Sequence, residues 1–332
     1  MAGNETLLLG QDDVARAMRL PDYIDAVEGV FRRLGEGAMT VPGVVHIPAP
    51  DGIFHIKSAA FAGDPHYVAV KVNGNFPDNR QKNGLPTIQG AIILCDGRNG
   101  SLLAVIDTGE VTAMRTAAAT AVAARHLARP DASVLTVVGC GIQGRVQLLA
   151  LQAVLPVETV YAFDLDRQRC KAFAARMRGE TGLDVIAVDE LANATRASQA
   201  IVTCTSSRKP FLGRDHVSPG TFIAAVGADN ADKQELHPDL LRHSKLVVDL
   251  IDQCVEMGEL HHALEAGVMQ RSEVYAELSQ VVLRAGQAGL RPDDNEIVIF
   301  DSTGTAIQDV AAAGMIYERA KALGIGTAMR FA

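Results

Sequence analysis

The chain has 332 residues and a net charge of −8; 48% of it is hydrophobic, 21% charged, 5% aromatic, and tryptophan is absent. That length suits two domains. The acidic balance and the scarcity of aromatic platforms disfavour nucleic acid and anionic membrane as partners, so an anionic ligand would need a local cluster of Lys and Arg. The five cysteines, Cys95, Cys140, Cys170, Cys204 and Cys254, are odd in number and scattered without a C-x-x-C pair. They read as free thiols of a reducing compartment. The opening MAGNETLLLG has neither a basic region nor a long apolar stretch. The expectation is no signal peptide, no membrane span and a cytoplasmic location.

Residues 22–34 read as a helix, with Ile24, Val27, Val30, Phe31 and Leu34 on one stripe. Alternating segments follow. Phe54 and Ile56 face one way, His55 and Lys57 the other; Val68, Val70 and Val72 share a face opposite Lys71. Residues 88–94 and 102–106 are further strands. Residues 107–127 form a helix, with Asp107 as N-cap and Glu110 as its reciprocal acid, rich in Ala, Thr and Val and ended by Arg129-Pro130. From residue 133 the pattern becomes strand–helix–strand. Short apolar runs at 134–138, 160–163, 201–204, 222–226, 246–248 and 297–300 predict a buried parallel sheet, with a last helix over 305–323.

The run 134–138 leads straight into Gly139-Cys140-Gly141-Ile142-Gln143-Gly144, a G-x-G-x-x-G between a strand and a helix. In that context Gly139 makes the tight turn, Gly141 admits a pyrophosphate to the backbone, and Gly144 lets helix and strand pack closely. The helix is expected to pack through Ile142, Val146, Leu149 and Ala153, while its N-terminus offers N–H groups to phosphate. The second strand ends at Asp164, whose carboxylate suits a ribose diol and would repel the extra phosphate of NADP, although Arg167 is close by in sequence. The pattern therefore predicts a Rossmann, doubly wound α/β domain that binds NAD, with NADP disfavoured. Ligands of such sheets lie beyond the carboxyl ends of the strands. Here those ends offer Thr203 to Ser206 (Thr205 and Ser206 among them), Gly227, Ala228, Asp229, Asn230, Asp249 and Asp301 to Thr303.

Several segments beyond this fingerprint are recognisable. Lys71-Val72-Asn73 with Asn75-Phe76-Pro77, Gly84-Leu85-Pro86-Thr87, and Thr112-Ala113-Met114-Arg115-Thr116-Ala117-Ala118 occur in one order. Val226-Gly227-Ala228-Asp229, Lys233-Gln234-Glu235-Leu236 and Phe300-Asp301-Ser302-Thr303-Gly304 follow. Together they resemble the ornithine cyclodeaminase/mu-crystallin family, which includes cyclodeaminases, alanine dehydrogenases, reductases of ketimines and other imino acids, and the mu-crystallins. The resemblance implies an α+β substrate-binding and dimerisation domain over 1–117, completed by 305–332, a Rossmann NAD-binding domain over 118–304, and a homodimer. It implies that Lys71 and Arg115 hold a substrate carboxylate near the nicotinamide, and that Asp229 is the acid/base residue with Lys233 nearby. Around NAD it implies Thr87, Arg115, Thr116, Gly139, Gly141, Ile142, Gln143, Gly144, Asp164, Thr205, Ser206, Val226, Gly227, Ala228 and Ser302. Thr303 is implied near the substrate.

Two departures from the cyclodeaminase pattern stand out. The stretch from Val41 to His46 carries no arginine, and no acid lies between Ile53 and Gly63, where a distal amine would be met. Lys57 stands there instead; position alone makes it a candidate substrate residue, and the strand pattern alone favours a solvent-exposed lysine. A small amino or imino acid needs a cation for its carboxylate and an acid/base group for its nitrogen. The expected function is an NAD(H)-dependent oxidoreductase working on that C–N bond, as a reductase or a dehydrogenase. The alternatives are an ornithine- or lysine-type cyclodeaminase that recycles NAD, and a non-catalytic dinucleotide-binding protein. No metal site is expected, because His261 and His262 are adjacent and not spaced as in H-E-x-x-H.

Overall fold

The computed structural model describes residues 5–40, 43–61, 64–285, 293 and 295–331. Val41, Pro42, Ala62 and Gly63 of the segments compared with the cyclodeaminases therefore lie outside the described residues, as do the first four of the chain. The chain forms two compact units: Met1–Arg115 with Thr305–Ala332, and Thr116–Gly304.

The first unit begins with β1 (Glu5–Leu9), α1 (Gln11–Ala17) and α2 (Leu20–Gly35). Pro21 in the first turn and the Asp22 carboxylate, which accepts from the Arg19 N–H at 2.8 Å, start α2, and Tyr23, Ile24, Val27, Val30 and Phe31 bury its apolar stripe. An antiparallel run follows: β2 (Met39–Thr40), β3 (Val44–Ala49), β4 (Gly52–Phe61) and β5 (Tyr67–Asn75). After the short α3 (Asn79–Lys82) come β6 (Ile88–Asp96), β7 (Leu102–Asp107) and the long α4 (Gly109–Leu127). That helix starts two residues later than the sequence suggests. Asp107 instead ends β7 opposite Ala91, and its Oδ1 accepts from Gly109 N at 2.9 Å.

The second unit alternates strands and helices. It contains β8 (Val134–Val138), α5 (Ile142–Gln152), β9 (Thr159–Phe163), α6 (Arg167–Thr181), β10 (Asp184–Ala187), α7 (Leu191–Ala197) and β11 (Ala200–Thr203). The chain continues through β12 (Arg208–Leu212), β13 (Phe222–Ala225), β14 (Gln234–Leu236), α8 (Pro238–Arg242), β15 (Lys245–Val248), α9 (Ile251–Glu256) and α10 (Glu259–Glu265). It closes with β16 (Ala276–Glu277), α11 (Leu278–Leu283) and β17 (Val298–Asp301). Eight strands make one parallel sheet in the order β10-β9-β8-β11-β13-β17-β15-β16, while β12 and β14 pair apart. The order reverses direction at β8, between β9 and β11, which is the switch point where Rossmann folds open a ligand crevice. The central strands β11, β13 and β17 are buried on both faces, so they read in sequence as continuous apolar runs.

The chain ends with α12 (Ala306–Leu323) and β18 (Thr327–Arg330), which complete the first unit. There the sheet runs β18-β1-β7-β6-β5-β4-β2, with β3 also on β4. Helix α12 lies on β4, β5 and β6. Small residues let it come close: a Cβ at Gly314 would fall 2.8 Å from the Tyr67 ring. Because side chains alternate along a strand, Tyr67, Ala69, Lys71 and Asn73 face α12 and are buried, while Val68, Val70 and Val72 take the opposite face. Register carries that second face across the sheet through Val45, Ile47, Phe54 and Ile93. These four stay exposed.

Candidate active site

The glycine fingerprint sits where β8 turns into α5. Gly139 has φ +104°, and a Cβ there would lie 2.8 Å from the Cys204 carbonyl oxygen. A Cβ on Gly144 would lie 2.1 Å from the Gly139 oxygen, so that position must be glycine for the helix to pack. This contact also orients α5. Its buried face runs through Gly144, Val146, Gln147, Leu148, Ala150 and Leu151, which corrects the expected stripe: Ile142 is 69% exposed and Ala153 is exposed. Gly141 is different, since a Cβ on it would meet nothing within 4 Å. The open space beside the first turn of α5, at the positive end of the helix dipole, fits a pyrophosphate.

Asp164 closes β9 with one carboxylate oxygen accepting from Cys140 N at 2.9 Å, inside the fingerprint, and the other from Asp166 N at 2.9 Å. The cation beside it is Arg169, at 3.7 Å; Arg167, singled out from sequence, pairs with Asp189 instead at 3.1 Å. Gln143 is half-buried and Ser206 exposed. Thr116, at the start of this unit, is buried. The backbone N–H groups of Val226 and Ser302 are used by the sheet, bonding to Thr203 O and Ala225 O. The buried Ser302 Oγ meets no partner among the described residues, which is what a group awaiting a ligand hydroxyl or amide looks like.

The strand-end carboxylates prove to be ties between loops. Glu235, on β14 and fully buried, accepts from Thr203 Oγ1, Thr205 N and Thr205 Oγ1, each at 2.6 Å, and from Gly227 N at 2.9 Å. It thereby joins the ends of β11 and β13, and a Cβ on Gly227 would collide with it at 2.3 Å. Behind it, Glu259 accepts from the N–H groups of Glu235 and Leu236. Asp249 accepts from Thr303 Oγ1, Gly304 N and Leu250 N, and Asp301 accepts from Leu260 N. Gln253 donates to Thr303 Oγ1 at 2.8 Å. Burial pushes the carboxyl groups of Glu235, Glu259 and Asp301 up, that of Asp301 to about 7. Asp249 and Asp301, which sequence position alone offered as ligand groups, thus have structural bonds to make, and Thr303 is held within that set.

Asp229 follows the turn after β13 and is half exposed; its Oδ1 lies 2.6 Å from Lys233 Nζ. Ala228 beside it is buried. The Lys233 carbonyl accepts from His262 Nε2 at 2.8 Å, and His261 Nδ1 donates to the Val255 carbonyl. His261, His262 and Glu265 bring their ligand atoms within 4.8 Å of one another, a closeness the sequence spacing had not suggested. The thiols of Cys140, Cys204 and Cys254 are pushed up by burial and are not poised as nucleophiles. All five cysteines are free.

In the first unit, β5, α4 and α12 bring four polar side chains together. Lys71 is 2% exposed and its Nζ lies 2.7 Å from Asp309 Oδ2. Arg115 places Nε 3.1 Å from Asp309 Oδ1 and donates through Nη1 to Gln308 Oε1 at 2.8 Å. Lys57 sits opposite Lys71 in the β4–β5 register and is only 7% exposed, so the surface position expected of it is wrong. The long β4 strand points it at α12, which covers that face. Burial, with Arg115 and Lys57 adding to it, pulls Lys71 down to about 7 against the opposing pull of Asp309. Burial alone would push Asp309 up, but Lys71 and Arg115 hold its carboxyl below the usual value. Thr87 is half-buried, and its carbonyl accepts from Phe76 N at 2.8 Å. Glu235, Gln308 and Asp309 had been given no role from sequence. A signal for the last two existed: Gln-Asp interrupts the apolar run Ala306-Ile307 to Val310-Ala313.

A sequence model of the ornithine cyclodeaminase/mu-crystallin family matches residues 4–324. The alanine dehydrogenase of Archaeoglobus fulgidus is 37% identical over 327 residues, covering 98% of this chain and 99% of the relative. Among solved structures, an archaeal alanine dehydrogenase dimer with bound NAD superposes with a TM-score of 0.93 at 36% identity, over 99% of this chain and 100% of that one. The iminosuccinate reductase of Paracoccus denitrificans in complex with NAD+ gives 0.91 at 32% identity, over 98% and 100% of the two chains. With its fingerprint, its strand order and its buried Lys–Arg pair, this chain belongs to the ornithine cyclodeaminase/mu-crystallin family.

Proposed function

We propose that this protein is an NAD(H)-dependent oxidoreductase acting on the C–N bond of a small amino or imino acid, as an imino-acid or ketimine reductase or an amino-acid dehydrogenase. The observation that carries the reading is the meeting of Lys71 and Arg115 in a buried cluster around Asp309. Two buried cations facing one acid are costly unless they serve a further anion, and a substrate carboxylate is that anion. Lys57 adds a third cation to the substrate side. The nicotinamide supplies or accepts the hydride at the α-carbon. Asp229 then gives the nitrogen its proton in reduction and takes one in oxidation, with Lys233 donating a hydrogen bond to its carboxylate at 2.6 Å. Thr303 is assigned to the substrate on the family resemblance. These roles call on no metal.

For the cofactor, the open space at Gly141 and the unengaged Ser302 Oγ support a dinucleotide. The carboxylate of Asp164 supports NAD over NADP. Thr87, Arg115, Thr116, Gly139, Ile142, Gln143, Gly144, Thr205, Ser206, Val226, Gly227 and Ala228 are assigned to it on the family resemblance. The uncovered apolar face of the first unit, through Val45, Ile47, Phe54 and Ile93, supports a homodimer formed by a second copy of the chain. Free thiols suit a cytoplasmic protein, and among the described residues no helix is long and apolar enough to cross a membrane.

The test is NADH absorbance with a panel of imino acids made from pyruvate, glyoxylate or oxaloacetate with ammonium or methylamine, together with five- and six-membered cyclic ketimines. Steady oxidation with one of them is expected. Tight NADH binding with no oxidation by any member, and ammonia release from ornithine or lysine, would replace the reading with a cyclodeaminase.

A further inference from the structure

The carboxylate-binding reading leaves a question about geometry. Lysine and arginine side chains are long and flexible, and like charges brought together in a buried site push one another apart. Something must hold Lys71 and Arg115 side by side before substrate arrives. Helix α12 supplies two adjacent polar residues in an otherwise apolar stretch, Gln308 and Asp309, both nearly inaccessible to solvent. The two carboxylate oxygens are divided between the cations: Oδ2 faces Lys71 at 2.7 Å and Oδ1 faces Arg115 Nε at 3.1 Å. Gln308 takes Arg115 Nη1 at 2.8 Å. Gln308 thus engages one N–H of Nη1 and Asp309 lies beside Nε, and the other N–H groups of the guanidinium are the donors for an incoming anion.

We propose that Asp309, with Gln308 beside it, is the positioning residue of the substrate-carboxylate site: it sets Lys71 and Arg115 in register and keeps Lys71 charged. The inference rests on the reading of Lys71 and Arg115 as the pair that binds the carboxylate. Charged groups reach Lys71 from three elements packed on it: Lys57 from β4, Arg115 from α4 and Asp309 from α12. Its β6 neighbour is the apolar Ile92. Of these only Asp309 favours the protonated amine. With a value of about 7, Lys71 stands at the edge of neutrality, so removal of Asp309 tips it to the uncharged form at neutral pH. Lys71 binds a carboxylate as a cation only, so anion affinity should fall as pH rises through its titration.

The experiment uses pyridine-2-carboxylate, an unreactive probe with a carboxylate beside an sp2 nitrogen, titrated calorimetrically into the enzyme–NADH complex from about pH 6 to about pH 10. In the unsubstituted protein the affinity should fall along one alkaline limb. Asp309→Asn should move that limb down by about 1 to 3 in pH, the effect of losing one adjacent opposite charge. At pH 8 the probe should then bind about tenfold or more weakly, and affinity should recover on acidification only below the pH at which the unsubstituted protein recovers it. A general loosening of the fold would weaken binding at every pH and would also weaken NADH. Gln308→Met, which frees Arg115 without altering charge, should weaken binding at all pH values with the limb unmoved, and it tests the assignment should Asp309→Asn not fold. An unmoved limb in a folded Asp309→Asn protein, or unchanged affinity in Gln308→Met, overturns the positioning role. A separate control addresses the underlying reading: if the probe binds Arg115→Ala as tightly as the unsubstituted protein, the cluster is not the carboxylate site.

Discussion

Glu235→Gln tests whether the cofactor loops are held by one buried carboxylate. As an anion, Glu235 accepts four hydrogen bonds, two at each oxygen: Thr205 N and Thr205 Oγ1 on one, Thr203 Oγ1 and Gly227 N on the other. A glutamine offers one acceptor oxygen and one NH2. The threonine hydroxyls can rotate to accept from that NH2, but a backbone N–H cannot. Either amide orientation therefore turns a donor toward the N–H of Thr205 or of Gly227. A buried donor left without an acceptor costs about 1–3 kcal/mol, and exchange of charged for neutral acceptors removes about 1 kcal/mol more at the bonds that remain. The expected loss in stability of the apo protein is about 2–4 kcal/mol, read by urea denaturation. The strain falls on the ends of β11 and β13, both assigned to NAD. If binding must restore that geometry at about 1.4 kcal/mol or more, NADH affinity by fluorescence titration drops at least about tenfold. A variant within about 0.5 kcal/mol of the parent would refute the clamp. Loss of stability with unchanged NADH affinity would confine Glu235 to the fold and detach it from the cofactor.

Asp229→Ala should lower turnover by about a hundredfold or more while NADH affinity stays nearly unchanged; equal loss of both would make Asp229 structural. Asp164→Ser should reduce the preference for NADH over NADPH about tenfold in paired steady-state assays, and an unchanged ratio would place selectivity elsewhere. Ile93→Lys puts a charge in the middle of the uncovered sheet face and should convert a dimer to a monomer by light scattering. A parent protein that is already monomeric would sink the dimer.

The Rossmann unit was legible in the chain because its signals are local. A strand buried on both faces reads as a continuous apolar run, and a turn that must admit phosphate reads as glycines at fixed spacing. The segments around Lys71, Arg115 and Asp229 were legible as family motifs. Pattern alone does not separate such residues from solvated or salt-bridged ones, since a lysine opposite three valines looks the same under a helix as under water. Tertiary structure decided that point by laying α12 on β4 and β5, which buried Lys71 and Lys57 and corrected the exposed position expected of the latter. It also set which face of α5 is buried, because Gly144 packs against the Gly139 carbonyl and Val137 of the preceding strand, a contact that helical periodicity does not encode. Above all, it gave roles to Glu235 and Asp309. Each is an acid whose partners lie far away along the chain, on Thr203 and Thr205 for one and on Lys71 and Arg115 for the other. The sequence by itself determined which chemical groups are present and which local elements carry them. Only folding decided which of those groups leave water together, and a buried charge acquires its meaning from the partners it meets there.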